Sequence, residues 1–203
     1  WSETYACNLF DWHLKEQETM PWLTGTAQWP FKDFSTPVRP DNPVPYMNQK
    51  GVVERDFKKK ESYYVFQSYW TAAPMVHIYG HNWPVRWGDE GEEKMIKVYS
   101  NCDEAEAWLN GKSLGVRKRN SQDFPAAGLR WNTQFNKGIN TVKVVAKKGK
   151  TILYDSISFQ YQTAKWNKPA QVKLQKLEEF NGIITIQATL HDAKGVQCLD
   201  AAN

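Results

Sequence analysis

Hydrophobic residues recur at two different spacings along the chain, and the change of spacing divides it into two parts. In residues 2–18 the apolar side chains fall at i, i+3 and i+4, which is the period of an amphipathic helix. Ser2 is a good N-cap residue and Pro21 stops the pattern, so a helix is predicted between them. A second helical pattern covers residues 58–70.

Between these two segments the pattern is not helical. Residues 22–29, "WLTGTAQW", form a short apolar to neutral run rich in threonine, which predicts a buried strand of an α/β unit. Residues 35–51 contain four prolines and predict a long irregular loop, of the kind that is often functional. The order helix, strand, loop and helix predicts a piece of a parallel α/β structure.

After Pro74 the chain changes to short runs in which apolar and polar residues alternate, as in antiparallel strands. Asn110-Gly111 is the strongest hairpin signal, because a type I′ turn needs positive φ at both central residues. These runs predict an immunoglobulin-like antiparallel β-sandwich over residues 74–162. Residues 163–203 predict a polar linker and the incomplete start of a second sandwich, with too few strands to bury a core.

The amino-acid composition favours some classes of function and argues against others. Ten Trp, nine Tyr and nine Phe make 14% of the chain, which suits sandwich cores and also the stacking of sugar rings on aromatic faces. The net charge is only +4 and the lysines are scattered, which argues against a nucleic-acid partner. No apolar run approaches about 18 residues, so no membrane-spanning helix is predicted.

Metal and cofactor chemistry is not indicated. The three cysteines are widely spaced and form no CxxC pair, which argues against a disulfide framework and a zinc site. His77 and His81 are close in sequence, but a hydrogen-bonded structural role is favoured over a metal site. Asp33 and Asp41 are carboxylates near the predicted strand end and in the loop, and nothing marks them as a catalytic pair. We predict no metal and no cofactor.

A resemblance to a known family is carried by five stretches: "GTAQWPFKDF", "NQKGVVERDFKKKESYYVFQSYW", "PMVHIYGHNWPVRWG", "KVYSNCDEAEAWLNGKSLG" and "SQDFPAAGLRW". They resemble the C-terminal half of glycoside hydrolase family 2 enzymes, in particular bacterial β-galactosidase-like members with trailing immunoglobulin-like domains. In that family a (β/α)8 barrel precedes the sandwiches. The resemblance implies a mixed fold: residues 1–72 form the last helix, strand, loop and helix of the barrel, and the sandwich of residues 74–162 follows.

The resemblance also implies which residues meet the substrate. Trp29 matches the tryptophan that lines the sugar subsite at the end of the last barrel strand, and Asp33 follows it in a W-x-x-x-D pattern. The alternatives are a core or barrel-plug tryptophan at position 29, and an aspartate at position 33 that caps the backbone or pairs with Lys32 or Arg39. The family's two catalytic glutamates would lie upstream of residue 1, so we expect no catalytic residue here and no hydrolase activity from this chain alone.

The loop supplies a second clue, which concerns the substrate. Asn48-Gln49-Lys50-Gly51 resembles the N-x-K-G pattern with which family 2 β-glucuronidases hold a uronate carboxylate. A charge-assisted hydrogen bond is roughly twice as strong as a neutral one, so a fixed lysine suits a carboxylate. Galactosidase-like relatives have a similar loop, so a loop-anchoring role for Lys50 stays open.

The sequence leaves three functions open. The first expectation is a retaining exo-β-glycosidase that acts on terminal β-galactosides. The alternatives are a β-glucuronidase that uses Asn48 and Lys50, and a non-catalytic carbohydrate-binding or spacer sandwich. Trp83 and Trp87 could form a secondary sugar platform, whereas Trp108 and Trp131 are predicted in the core.

The expected partners are a carbohydrate substrate and the rest of the barrel, with neither nucleic acid nor a membrane. The expected location is secreted or periplasmic, and the oligomeric state stays open. The chain is also expected to be a part of a longer protein.

Overall fold

The computed structural model describes residues 2–40 and 44–199. Within them the chain is mostly β-sheet, with two α-helices, α1 (Glu3–Gln17) and α2 (Glu61–Trp70). The strands in chain order are β1 Phe34–Ser35, β2 Met47–Asn48, β3 Val76–Ile78, β4 Val85–Trp87, β5 Glu93–Ser100, β6 Glu104–Leu109, β7 Lys112–Lys118, β8 Arg130–Gln134, β9 Gly138–Lys148, β10 Thr151–Gln162, β11 Pro169–Phe180 and β12 Ile183–Asp192. A short 3-10 helix covers Ala126–Gly128.

Both predicted helices are confirmed. Ser2 is the N-cap of α1, and its hydroxyl oxygen accepts a hydrogen bond of 3.2 Å from the backbone N–H of Tyr5. Helix α2 begins three residues later than predicted, because Lys59 forms a β-bridge with Val53 and the chain before Glu61 is therefore extended.

Removal of the α1 cap tests the energetic role of Ser2. We expect Ser2→Ala to lower the free energy of unfolding by about 1 kcal/mol, because one N-terminal N–H of the helix loses its acceptor. Ser2→Asp keeps an acceptor and should retain the stability of the natural chain. Urea unfolding of the three proteins checks this, and equal stability of the Ala and Asp variants would contradict it.

The strand predicted at residues 22–29 is wrong. These residues form no strand, and Trp22 and Trp29 are 76% and 79% exposed. A strand is stable only beside a hydrogen-bonded neighbour, and no strand in the described part of the chain pairs with this segment. The predicted loop that follows contains a short antiparallel ladder instead, in which β1 pairs with β2.

The described residues divide into two compact units. The first comprises the described residues up to Asn82 together with Lys94–Thr133 and Thr141–Ile157. The second comprises Trp83–Glu93, Gln134–Asn140 and the described residues from Ser158 onward. The domain boundaries predicted after residues 72 and 162 stay predictions.

The β-structure of the first unit follows the predicted alternation. Strand β6 pairs antiparallel with β7 and with β9. The turn at Asn110-Gly111 is confirmed, with φ of 51° and 84° at its two residues. Trp131 is confirmed as a core residue at 2% exposure. The core position predicted for Trp108 is wrong, because adjacent strand residues face opposite ways and Leu109 takes the buried face.

The two helices share a hydrophobic core with β5 in this unit. Cys7 and Leu14 of α1, Val65 of α2 and Tyr99 of β5 are buried in one cluster. The α-helices also contact each other directly, with the Phe10 and Phe66 ring centroids 5.0 Å apart.

In the second unit β4 pairs parallel with β10, a difference from the purely antiparallel prediction. The two strands are far apart in sequence, so no tight turn forces them to run in opposite directions. Strands β11 and β12 form a hairpin around Asn181-Gly182, and every residue of β11 is exposed.

The larger sheet has the strand order β4-β10-β9-β6-β7, and a three-stranded sheet has the order β3-β5-β8. Two sheets of this kind are consistent with the predicted β-sandwich. Neither helix in the described part of the chain is long and apolar enough to cross a membrane.

Candidate substrate-binding site

A cavity of about 280 Å³ lies in the first unit, where the start of α1, the start of α2 and two loop segments meet. Its wall includes Glu3, Tyr5, Trp29, Lys50 and Lys60. Aromatic surface and charged groups therefore face the same space, as in sites that bind sugars or other polar ligands. Two of the predicted substrate residues, Trp29 and Lys50, are brought together here.

Trp29 presents its indole to solvent. It is 79% exposed, and its ring meets Phe34 edge-on with centroids 6.2 Å apart. No described residue of this chain buries the indole, and the core or barrel-plug alternative stays open. An indole held by a second aromatic ring and open on the cavity side can stack on the apolar face of a sugar ring.

Asn48 shapes the loop rather than the cavity wall. It lies in β2 at 8% exposure, and its side-chain oxygen Oδ1 accepts a hydrogen bond of 3.1 Å from the N–H of Lys50. Such an Asx turn fixes the backbone two residues ahead of the asparagine. Asn48 therefore sets the direction in which Lys50 leaves the strand.

Asp33 is buried at 6% exposure, and both its carboxylate oxygens are occupied. The ammonium of Lys60 lies 2.8 Å from Oδ1 and 2.7 Å from Oδ2, and the N–H of Gly51 donates to Oδ1 at 2.9 Å. Of the predicted alternatives, the backbone cap is present through the N–H of Gly51, and the ion pair is made with Lys60. Lys32 instead holds its ammonium 3.8 Å from the ring centroid of Phe57, in a cation–π contact. Asp41 lies outside the described residues.

Position 51 requires glycine, because two backbone segments approach each other closely there. A Cβ at this position would lie 2.4 Å from the backbone nitrogen of Asp33 and 2.5 Å from the carbonyl carbon of Lys32. Neither backbone atom can move without displacing the chain around Asp33. Glycine thus allows the loop to pack directly on the segment that carries Asp33.

Glu3 is the acidic group of the cavity wall. Burial raises the pKa of its carboxyl above the ordinary value, while the backbone N–H of Glu61 opposes the shift by donating a hydrogen bond of 3.2 Å. Glu3 lies in the first turn of α1, where a negative charge interacts favourably with the positive end of the helix dipole.

A second polar cluster lies on the other side of Glu61. Its carboxylate Oε2 meets Nε2 of His77 at 2.9 Å and accepts the N–H of Gly80 at 2.9 Å. His77 stacks on Tyr64, with ring centroids 3.5 Å apart, and His81 pairs with Asp155 at 2.8 Å. The hydrogen-bonded role predicted for these histidines is confirmed.

His77, His81 and Asp155 are close enough to raise the question of a metal. One ligand atom from each lies within 4.8 Å of the others. A metal must lie in the plane of each imidazole it binds, yet the two rings are stacked, with centroids 4.6 Å apart and planes 20° from parallel. The arrangement fits hydrogen bonding rather than coordination, and the absence of a metal stays a prediction.

The interaction of Glu61 with His77 predicts that the stability of the fold depends on pH. Burial opposes ionisation, but the hydrogen bond and charge of His77 and the Gly80 N–H outweigh it and hold the pKa of Glu61 below its ordinary 4.5. Since the folded state favours the carboxylate, the stabilisation is present above pH 4.5 and is lost as the pH falls through the lower, folded pKa. We expect Glu61→Gln to cost about 1–2 kcal/mol at pH 7 and less at pH 3.

Urea unfolding between pH 3 and pH 7 measures this difference. Glu90→Gln is the matched control because Glu90 is exposed. This variant should leave the free energy of unfolding unchanged at both pH 3 and pH 7. If the natural chain and Glu61→Gln differ in free energy of unfolding by the same amount from pH 3 to pH 7, the lowered pKa of Glu61 is contradicted.

The predicted secondary platform lies in the second unit. Trp83 and Trp87 are both half-buried. Trp87 meets Trp166 edge-on with centroids 5.5 Å apart, and the ammonium of Lys165 lies 6.0 Å from its ring. Part of the Trp87 surface is therefore covered by protein, and a sugar platform here stays a prediction.

Comparison with known proteins identifies the family. Residues 91–153 match a family described as a domain of unknown function, DUF4982. The solved β-glucuronidase of Parabacteroides merdae, with glycerol in its active site, is 63% identical, with a TM-score of 0.95 over 98% of this chain and 26% of that one. The chain is a homologue of the family 2 glycoside hydrolases. The solved β-glucuronidase 3 of Bacteroides uniformis is 60% identical, with a TM-score of 0.95 over 99% of this chain and 26% of that one.

A galactosidase also matches, at lower identity. The β-galactosidase BoGH2A of Bacteroides ovatus is 28% identical over 98% of this chain and 24% of its own length. The family 2 chain thus spans about a quarter of the length of these relatives.

The contacts of Lys60 and Gly51 at this cavity are not predicted by the sequence pattern. Lys60 belongs to a run of three lysines that predicts a solvated turn or helix start, yet its side chain is only 14% exposed. The role of Gly51 was visible only as the last letter of the N-x-K-G pattern.

Proposed function

We propose that this chain is part of a family 2 β-glucuronidase and that it forms one wall of the subsite for the terminal sugar. The observation that carries the proposal is the shared cavity wall of Trp29 and Lys50. The similar solved proteins named above are β-glucuronidases, and the galactosidase is much less similar. The first expectation, a preference for β-galactosides, therefore gives way to its alternative.

The chemistry distinguishes the two substrates at one position. A glucuronide carries a carboxylate where a galactoside carries a neutral hydroxymethyl group. A carboxylate that leaves water needs a fixed cation, and Lys50 provides one beside the aromatic surface of Trp29. A neutral sugar gains little from that cation.

The reaction itself would be completed by the rest of a longer protein. In the proposed retaining mechanism one glutamic acid protonates the leaving oxygen, and a second carboxylate forms the glycosyl-enzyme intermediate that water hydrolyses. Residues 1–72 would contribute the end of the barrel that holds both groups. This chain would supply binding and orientation, through Trp29 and the loop from Asn48 to Gly51.

A hybrid enzyme tests the proposal. The matching segment of the Parabacteroides merdae β-glucuronidase is replaced by this 203-residue chain, an exchange favoured by the 63% identity and the TM-score of 0.95. We expect the hybrid to hydrolyse 4-nitrophenyl β-glucuronide with at least tenfold higher kcat/KM than the β-galactoside. The isolated chain should hydrolyse neither. A hybrid that folds and prefers the galactoside would overturn the proposal.

A further inference from the structure

We propose that the ion pair of Asp33 and Lys60 is a positioning device, which holds the loop from Asn48 to Gly51 so that Lys50 is placed to meet the uronate carboxylate. Neither Asp33 nor Lys60 contacts the sugar in this account. The inference rests on the proposed function for its consequence, but the positioning itself is a property of this chain.

The first argument is that the ammonium of Lys60 has no donor left for a ligand. It contacts three acceptor atoms: Oδ2 of Asp33 at 2.7 Å, Oδ1 of Asp33 at 2.8 Å and the carbonyl oxygen of Gln49 at 3.0 Å. An ammonium carries three protons, and these contacts use all of them. Lys60 therefore lies on the cavity wall as a support of the wall.

The second argument is where the pair touches the loop. Lys60 holds the carbonyl of Gln49, and Asp33 accepts the N–H of Gly51 at 2.9 Å. These two residues flank Lys50. The backbone N–H of Lys50 itself is held by Asn48 at 3.1 Å. Three consecutive residues are thus fixed by side chains, and Lys50 is the middle one.

The third argument is that both members of the pair are anchored to the same base. The N–H of Asp33 donates to the carbonyl of Val53, and the N–H of Lys60 donates to the carbonyl of Val52, each at 3.0 Å. Val52 and Val53 are 4% and 2% exposed, directly after the loop. The pair that holds the loop is therefore itself hydrogen-bonded to a buried segment that directly follows the loop.

Burial strengthens the electrostatic attraction between Asp33 and Lys60. Its side chains are 14% exposed for Lys60 and 8% exposed for Asp33, so solvent screens their attraction poorly. Removal of one partner leaves a buried charge without its counterion, which is strongly unfavourable. The loop would then move to hydrate the remaining charge, and Lys50 would move with it.

Amide hydrogen exchange on the 203-residue chain tests the positioning without any need for activity. Lys60→Met should accelerate exchange of the peptide that contains Gly51 about tenfold, because the loop loses the hydrogen bond from the Lys60 ammonium to the Gln49 carbonyl and opens more often. The double variant Asp33→Asn with Lys60→Met removes both charges and serves if the single variant does not fold. Lys59→Met is the matched control, because the ammonium of Lys59 lies over the ring of Tyr63. Exchange that is unchanged in both Lys60 variants would overturn the inference.

Kinetics of the hybrid enzyme test the consequence for specificity. Lys60→Met should raise KM for the β-glucuronide about tenfold and leave KM for the β-galactoside within twofold, a split that general destabilisation would not produce. An unchanged glucuronide KM, in a hybrid that prefers glucuronide, would overturn the inference. If the unmodified hybrid prefers galactoside, the proposed function has failed, and the exchange experiment alone decides whether the pair holds the loop.

Discussion

In the hybrid enzyme, Lys50→Ala is expected to lower kcat/KM for the β-glucuronide about 10- to 150-fold and to leave β-galactoside hydrolysis within about twofold. A hydrogen bond to a charged group contributes about 1.5–3 kcal/mol, and each 1.36 kcal/mol is a factor of ten in rate. The loss appears with the glucuronide alone because only that substrate carries the carboxylate. Initial-rate assays with the two nitrophenyl glycosides measure it.

Lys58→Ala is the control for this variant, since Lys58 is an exposed lysine that does not line the cavity. It should behave as the unmodified hybrid with both substrates. An equal loss with both substrates after Lys50→Ala would mean that Lys50 supports the loop and does not bind the carboxylate.

Gly51→Ala should reduce glucuronide hydrolysis about a hundredfold without removing any polar group. The added Cβ would lie 2.4 Å from the backbone nitrogen of Asp33, so the loop must move away from its base. A displacement of about 1 Å at a substrate-positioning group is enough for a loss of this size. Because Lys50 precedes Gly51 directly, its ammonium moves with the loop, and the same kinetic assay detects the effect.

Gly25→Ala is the matched control, because a Cβ at Gly25 would have nothing within 4 Å and its backbone is not left-handed. It should leave both activities unchanged. If Gly51→Ala retains activity within twofold, the contact between the loop and Asp33 does not fix Lys50, and the positioning account is wrong at its first step.

Local signals in the sequence predicted the elements that depend on local physics. The first helix follows from its apolar spacing and from Ser2, whose side chain does cap it. The hairpin at Asn110-Gly111 follows from two residues that tolerate positive φ. Asn181-Gly182 carries the same signal and forms the same kind of turn between β11 and β12.

Elements that depend on distant partners were not predictable in the same way. Residues 22–29 have the composition of a buried strand, but composition does not supply the neighbouring strands that a buried strand needs. The alternating strand that contains Trp108 predicts a core position for this residue. The alternation gives two faces, and only the burial of Leu109 decides which of them is inside.

The candidate site also combines features that the sequence predicts with features that depend on contacts between distant residues. The resemblance to family 2 enzymes brought Trp29 and Lys50 together, and the structure places both on one cavity wall. The contacts that hold the wall join residues 27 positions apart, in the case of Asp33 with Lys60, and 18 positions apart, in the case of Asp33 with Gly51. A lysine in a run of lysines is usually solvated, so nothing in the local sequence distinguishes Lys60 from its two neighbours.

The central claim is that Lys50 receives a uronate carboxylate beside Trp29. A crystal structure of the hybrid enzyme with bound D-glucuronate tests it most directly. The account predicts a carboxylate oxygen at about 2.7–2.9 Å from the ammonium of Lys50, with the sugar ring against the indole of Trp29. A glucuronate whose carboxylate is held by other residues, with Lys50 directed away from it, would contradict the account.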